Sequence, residues 1–144
     1  MSFVDLRPYF QGRVAAADSD FTEWTDAFAE DNIPSSLMDK AYHIKYGDFA
    51  LKSGVQNGAF LYDGPVTVNF YFKGYKDPID AIDTAWTKAE TIIQECCKNT
   101  QRLSQSKIKN VLASFAGVSQ LGATNDNVVK LSIVFLCTVG INVS

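Results

Sequence analysis

The sequence of 144 residues contains one histidine, three cysteines and no excess of positive charge, and each shortage closes off a class of function. His43 has no second imidazole to share a zinc ion with, and its only thiol companions are Cys96, Cys97 and Cys137. Two of those are adjacent, none forms a CxxC pair, and their apolar neighbours predict buried thiols in a reducing compartment. No serine or cysteine nucleophile and carboxylate stand near His43 in a triad-like pattern, so it reads as structural or as an interface residue. Among the glycines there is no GxGxxG, and Gly54-x-x-x-Gly58 lacks the Lys-Ser/Thr that a phosphate loop requires. Thirteen Lys and Arg against 16 Asp and Glu give a net charge of -3 and a pI near 5.0, which does not suit tight phosphate binding. The longest apolar-rich run, 131–139, is too short to cross a bilayer as a helix. The N-terminus MSFVDLRPYF has Asp5 and Arg7 where a signal peptide needs an apolar stretch. A protein that is soluble and intracellular when made is expected, with no membrane partner and no cofactor.

Ordinary globular composition is what remains: 47% apolar and 20% charged residues. The length suits a single domain over 1–144, and such a chain buries roughly 68–70% of its unfolded surface without needing a disulfide or metal. Phe3, Leu6, Phe10 and Val14 predict a first amphipathic helix over 3–16, the alternative being that Pro8 restricts it to the residues after that position. A second short helix is predicted over 20–29, capped by Asp20, with Phe21, Trp24, Ala27 and Phe28 on one face. The 32–36 stretch, Asn-Ile-Pro-Ser-Ser, ends it.

Residues 41–47 read as a strand that puts Tyr42, Ile44 and Tyr46 on one face and His43 and Lys45 on the other. The 48–63 stretch carries the turn dipeptide Asn57-Gly58 and reads either as a protruding hairpin or as a flexible loop. Val66, Val68, Phe70 and Phe72 alternate with polar or aromatic residues, predicting a strand over 65–73 covered on one side. The helix over 78–98 is the clearest element: Asp77 caps it, Pro78 occupies N1, and Ile79, Ile82, Trp86, Ala89, Ile93 and Cys96 form an apolar stripe. Residues 108–118 fit helix or strand and are read as strand because Asn110, Ser114 and Gly117 weaken a helix. A turn at 122–127 leads to a last strand, 128–140, one-sided at first and buried on both faces later. Together these predict an α/β domain of the α+β kind: a mainly antiparallel sheet of about four strands, packed by one long helix and shorter N-terminal helices.

Candidate chemistry is thin. Asp80 and Asp83 are close enough to share a proton or an ion, but a solvated first turn explains them. Cys96 and Cys97 point about 100° apart on a helix, so core packing suits them better than redox pairing. Tyr42, Tyr46, Phe60, Tyr62, Tyr71 and Tyr75 crowd between 42 and 75, fitting equally a core-packed sheet face or an interface. Charge is the informative pattern. Asp18, Asp20, Glu23 and Asp26 begin a run without a cation between Arg13 and Lys40, whereas Lys98, Arg102, Lys107 and Lys109 stand in a run without an acid. A solvated face is the default for each. Joined head to tail, the two runs give a subunit interface that closes into a ring when the rotation permits. Lys52, Gln56, Asn57, Phe60 and Tyr62 make 48–63 a candidate element for docking on a partner or a neighbouring subunit.

The segment Asn32-Ile33-Pro34-Ser35-Ser36-x-x-Asp39-Lys40-Ala41-Tyr42-His43-Ile44-x-x-Gly47 resembles a stretch of the tail terminator proteins of long-tailed bacteriophages. The Gly64-Pro65-Val66 strand, the Lys73-Gly74-Tyr75 step into a long helix and the Asn125-Asp126-Asn127 turn before a terminal apolar strand resemble the same family. The resemblance runs from about residue 20 to the end. It implies a virion structural protein rather than an enzyme. It implies a homo-hexameric ring on the last ring of tail tube protein, which stops tube growth and offers a surface to head-completion (connector) proteins. It also implies that viral DNA passes through the lumen without specific binding, and it carries over no catalytic residues. Another neck protein, such as a head-closure or connector protein, is the nearest alternative; a small-molecule-binding α+β domain is a more distant one.

Overall fold

The computed structural model describes residues 2–24, 39–56, 59–73, 77–98, 108–121 and 128–142. After a 3-10 turn at Ser2–Asp5, helix α1 spans Leu6–Ala17 and helix α2 spans Pro78–Cys97. The strands are β1 (Thr22–Glu23), β2 (Ala41–Tyr46), β3 (Ala50–Gln56), β4 (Ala59–Phe72), β5 (Ile108–Leu121) and β6 (Val128–Asn142). They form one six-stranded sheet in the order β1-β2-β4-β6-β5, with β3 also paired to β4. The β1–β2 pair is parallel and every other pair is antiparallel. The expected α+β architecture is therefore present, with six strands where about four were anticipated.

Strand alternation builds the core. In β4, Val66, Val68, Phe70 and Phe72 are fully buried, and in β6 so are Val129, Leu131, Ile133, Phe135, Cys137 and Val139. Period-2 alternation puts these on one face, where α1 and α2 cover them. From α1, Leu6, Phe10 and Val14 at four-residue spacing complete the cluster. Pro8 does not delay α1. It falls in the first turn, where a missing N–H leaves no intrahelical bond unmade, so the helix begins two residues before it.

Helix α2 buries a different stripe from the one its large residues suggest. Ala81, Ala85, Ala89, Ile92 and Cys96 face the sheet, while Ile79 is 64% and Trp86 45% exposed. Three alanines at four-residue spacing let the helix axis come close to a sheet face crowded with phenylalanines, and packing density selects that stripe over the bulkier one. Asp77 accepts the Ile79 N–H at 3.0 Å, so the expected cap is present.

The predicted 20–29 helix is absent where the structure describes it. Thr22 and Glu23 form β1 instead, with Thr22 N–H donating to Lys40 O at 2.9 Å. Phe21 and Trp24 belong on opposite faces of the sheet: Phe21 packs edge-on against Phe70, and Trp24 against His43 and Tyr71. An extended chain separates two residues three apart in this way, whereas a helix turn would put them on the same side. Residues 25–29 of that prediction, and the 122–127 turn, lie outside the described residues.

The later part of β6 is buried on both faces only at its end, where Thr138 and Gly140 are buried, and not at Val134 and Leu136. Leu136 is 41% exposed and Val134 half-buried, because no described helix covers that side. Strand β5 is confirmed, and its register explains why its sequence was ambiguous. A bulge between Ala113 and Phe115 shifts the alternation, pairing Leu112 with Leu136 and Phe115 with Val134. Leu112 and Phe115, three apart, thereby reach the same open face. At Gly117 a Cβ would come within 2.7 Å of the Phe115 ring, so glycine there gives that ring its resting place.

Candidate assembly surfaces

The acidic run expected to form one half of a subunit interface is largely engaged within the chain. Asp18 closes α1 and meets Lys88 Nζ at 2.8 Å and Lys40 Nζ at 3.2 Å, with its side chain only 11% exposed. The Lys88 ammonium, the Asp20 N–H and Lys40 hold its carboxyl down at about 2 against its partial burial. Asp20 lies 3.7 Å from the same Lys40. Glu23, in β1, accepts from Arg7 at 2.6 Å and also from Gln11. These contacts tie α1, α2 and the β1–β2 edge into one body. Asp26 lies outside the described residues.

On the basic side, Lys98 caps the C-terminal end of α2 and sits 3.9 Å from Glu95. Lys109 falls in β5, and Arg102 and Lys107 lie outside the described residues. Among the described residues, no acid of the 18–26 run meets a cation of the 98–109 run in the same subunit.

Of the two readings of 48–63, the hairpin is the observed one: β3 and the first part of β4 pair from Ala50↔Asp63 to Gln56↔Ala59, with two register irregularities. Lys52 faces Asp63 at 3.8 Å, Gln56 is the last β3 residue, and Phe60 and Tyr62 are half-buried in β4. Asn57 lies outside the described residues. The hairpin base is held by aromatic packing, with the Phe3 ring 5.2 Å from Phe49 and 5.9 Å from Tyr62. Gly64 leaves room for this packing, because a Cβ there would come within 2.4 Å of the Phe49 ring. Phe3, Leu6, Arg7, Tyr46 and Phe49 line an apolar hollow of about 440 Å³ beside it.

Two surfaces were not anticipated. The first is the face of the sheet opposite the helices. Leu112 at 52%, Phe115 at 58% and Leu136 at 41% exposure stand together there, with half-buried Val134 and Pro65 paired beside them. Contiguous large apolar side chains on an open sheet face make this a candidate contact surface. The alternation of Val134 and Leu136 was visible in the sequence, but the β5 bulge that adds Phe115 was not. The second is the outer face of α2, with Ile79 and Trp86.

The β1 end of the same open face is polar and closed. His43, Asn69 and Ser132 are cross-strand partners in β2, β4 and β6. Ser132 Oγ donates to Asn69 Oδ1 at 2.6 Å, and Asn69 Nδ2 lies 3.3 Å from His43 Nε2. The His43 ring stacks on Tyr71 and meets Trp24 edge-on, so the lone histidine is buried. Cys96 and Cys137 are buried free thiols and Cys97 is half-buried. Burial pushes the Cys96 thiol up and Cys137 to about 12, which keeps both protonated and unreactive at neutral pH. Burial likewise raises the Tyr9 phenol to about 12, with its hydroxyl donating to the Cys96 carbonyl. Among the described residues no group of three His, Cys, Asp or Glu side chains is placed to hold a metal ion, and no helix is long and apolar enough to cross a membrane. No known protein family matches the chain, and no curated protein matches it closely.

Proposed function

We propose that this chain is a structural subunit of the tail-terminator kind: it closes on copies of itself into a ring, six-membered by the resemblance. The ring caps a tail tube and presents its other side to head-completion proteins. The observation that carries the reading is the pair of unpartnered apolar surfaces on opposite sides of a two-layer monomer. One is the open sheet face around Leu112, Phe115 and Leu136, and the other is the outer face of α2 at Ile79 and Trp86. A subunit with two different sticky faces joins heterologously, and a heterologous contact either closes into a ring or runs on as a filament. A cap that stops tube growth needs the closed form. The β3–β4 hairpin, carrying Lys52, Phe60 and Tyr62, supplies a third element suited to grip the tube end. The test is to mix the purified chain with tail tube protein and image the product. Closed rings, free or seated on tube ends of finite length, are expected. A chain that stays monomeric and leaves tube length unchanged would overturn the reading.

A further inference from the structure

The outer face of α2 is more than apolar. Ile79, Asp83, Trp86 and Glu90 recur at spacings of four, three and four, which places them in one line along the helix, and all four are exposed. Apolar and acidic residues alternate along that line. Asp18, Asp20, Glu23, Asp63 and Glu95 each face a cation of their own subunit. Asp83 and Glu90 face none among the described residues, so this stripe retains the negative charge that the 18–23 run has lost to internal pairs.

The chain's concentration of positive charge is the run Lys98, Arg102, Lys107 and Lys109. Its far end cannot reach the stripe's upper acid within one subunit. Strand β4 ends level with Val129 and Gln120, α2 starts just beyond, and it finishes at Cys97, whose thiol meets the Ala113 backbone. Asp83 is about 21 Å up the helix from Cys97 at ~1.5 Å per residue. Lys109 is about 13 Å past Ala113 in the opposite direction at ~3.3 Å per residue. Asp83 and Lys109 of one subunit therefore lie in opposite directions from the Cys97–Ala113 contact, an arrangement that suits pairing between copies.

We infer that the Ile79–Asp83–Trp86–Glu90 face of α2 is the docking site for the basic 98–109 run of the next copy of this chain. The inference rests on the ring-forming reading and specifies one of its contacts. Trp86 and Ile79 supply the desolvated centre, Asp83 and Glu90 the flanking charge that sets polarity and register.

A charge swap tests it. Asp83→Lys with Glu90→Lys should weaken self-association at least tenfold in sedimentation, and Lys107→Glu with Lys109→Glu should do the same. Mixing the two reversed proteins should restore assembly, and lowering the salt should strengthen the restored contact. Asp83→Asn with Glu90→Gln, which keeps the helix surface polar, serves if the reversed helix melts early, and should weaken association by a smaller factor. Unchanged association in either reversed protein, or reversed proteins that are folded yet do not assemble when mixed, overturns this docking site while leaving ring formation intact. A wild-type chain that never self-associates removes the ring itself and the site with it.

Discussion

The two faces of the sheet obey opposite rules although the same strands build both. On the helix side, β4 from Val66 to Phe72 and β6 from Val129 to Val139 present only Val, Ile, Leu, Phe and Cys, all fully buried. On the other side, the rows change from the polar His43–Asn69–Ser132 line, through Lys45–Thr67–Val134–Phe115, to the apolar Leu112–Leu136–Pro65 line. The first face was finished by the chain's own helices. The second is finished at the β1 end by Trp24 and left open at the β5 end. A side chain buried within the chain stabilises the monomer, whereas one left exposed on a regular sheet stabilises something only when another molecule covers it.

That contrast can be broken most sharply by equal truncations on the two faces. Phe135→Ala, in the helix-side core, should lower unfolding stability by about 3–5 kcal/mol in a urea titration. A loss below ~1 kcal/mol would mean that α1 and α2 do not seal that face. Next in size is the ion cluster joining the helices. Asp18 has a carboxyl held at about 2, below its ordinary value of 3.8, so its charged form is favoured by folding. Its contribution is present above pH ~4 and is lost as pH falls through ~2, and is worth about 2 kcal/mol at neutral pH. Asp18→Asn should remove that contribution and flatten the acid limb of the stability–pH curve; an unchanged acid limb would contradict the pairing with Lys88. Ser132→Ala, which breaks the polar row at Asn69, should cost about 1 kcal/mol. Smallest of all, Phe115→Ser should alter monomer stability by no more than ~0.5 kcal/mol, since more than half of that side chain is already in water.

Much of the architecture was legible because the signals were local. The alternation of Val66 to Phe72, the Asp77-Pro78 start of α2 and the Leu6, Phe10, Val14 spacing each fix an element without reference to the rest of the chain. What was not legible depended on partners distant in sequence. Helix α2 shows two apolar stripes, and only the bulk of the facing phenylalanines decides that the alanine stripe goes inward. Phe21 and Trp24 look like one helix face until the sheet asks for them on opposite sides. The β5 bulge turns strand alternation into something close to helical spacing at Leu112 and Phe115. Charge was misleading for a related reason: Asp18 and Glu23 are far in sequence from Lys88 and Arg7 yet adjacent in space, so an acidic run became internal bracing.

The central claim is that the surfaces this chain leaves uncovered are covered by other copies of it. Sedimentation of the wild-type chain and of Phe115→Ser with Leu136→Ser, over a range of concentrations, addresses it directly. A discrete, closed oligomer is predicted for the wild type, and a well-folded species of lower mass for the double variant. Identical masses for the two folded proteins would contradict the account.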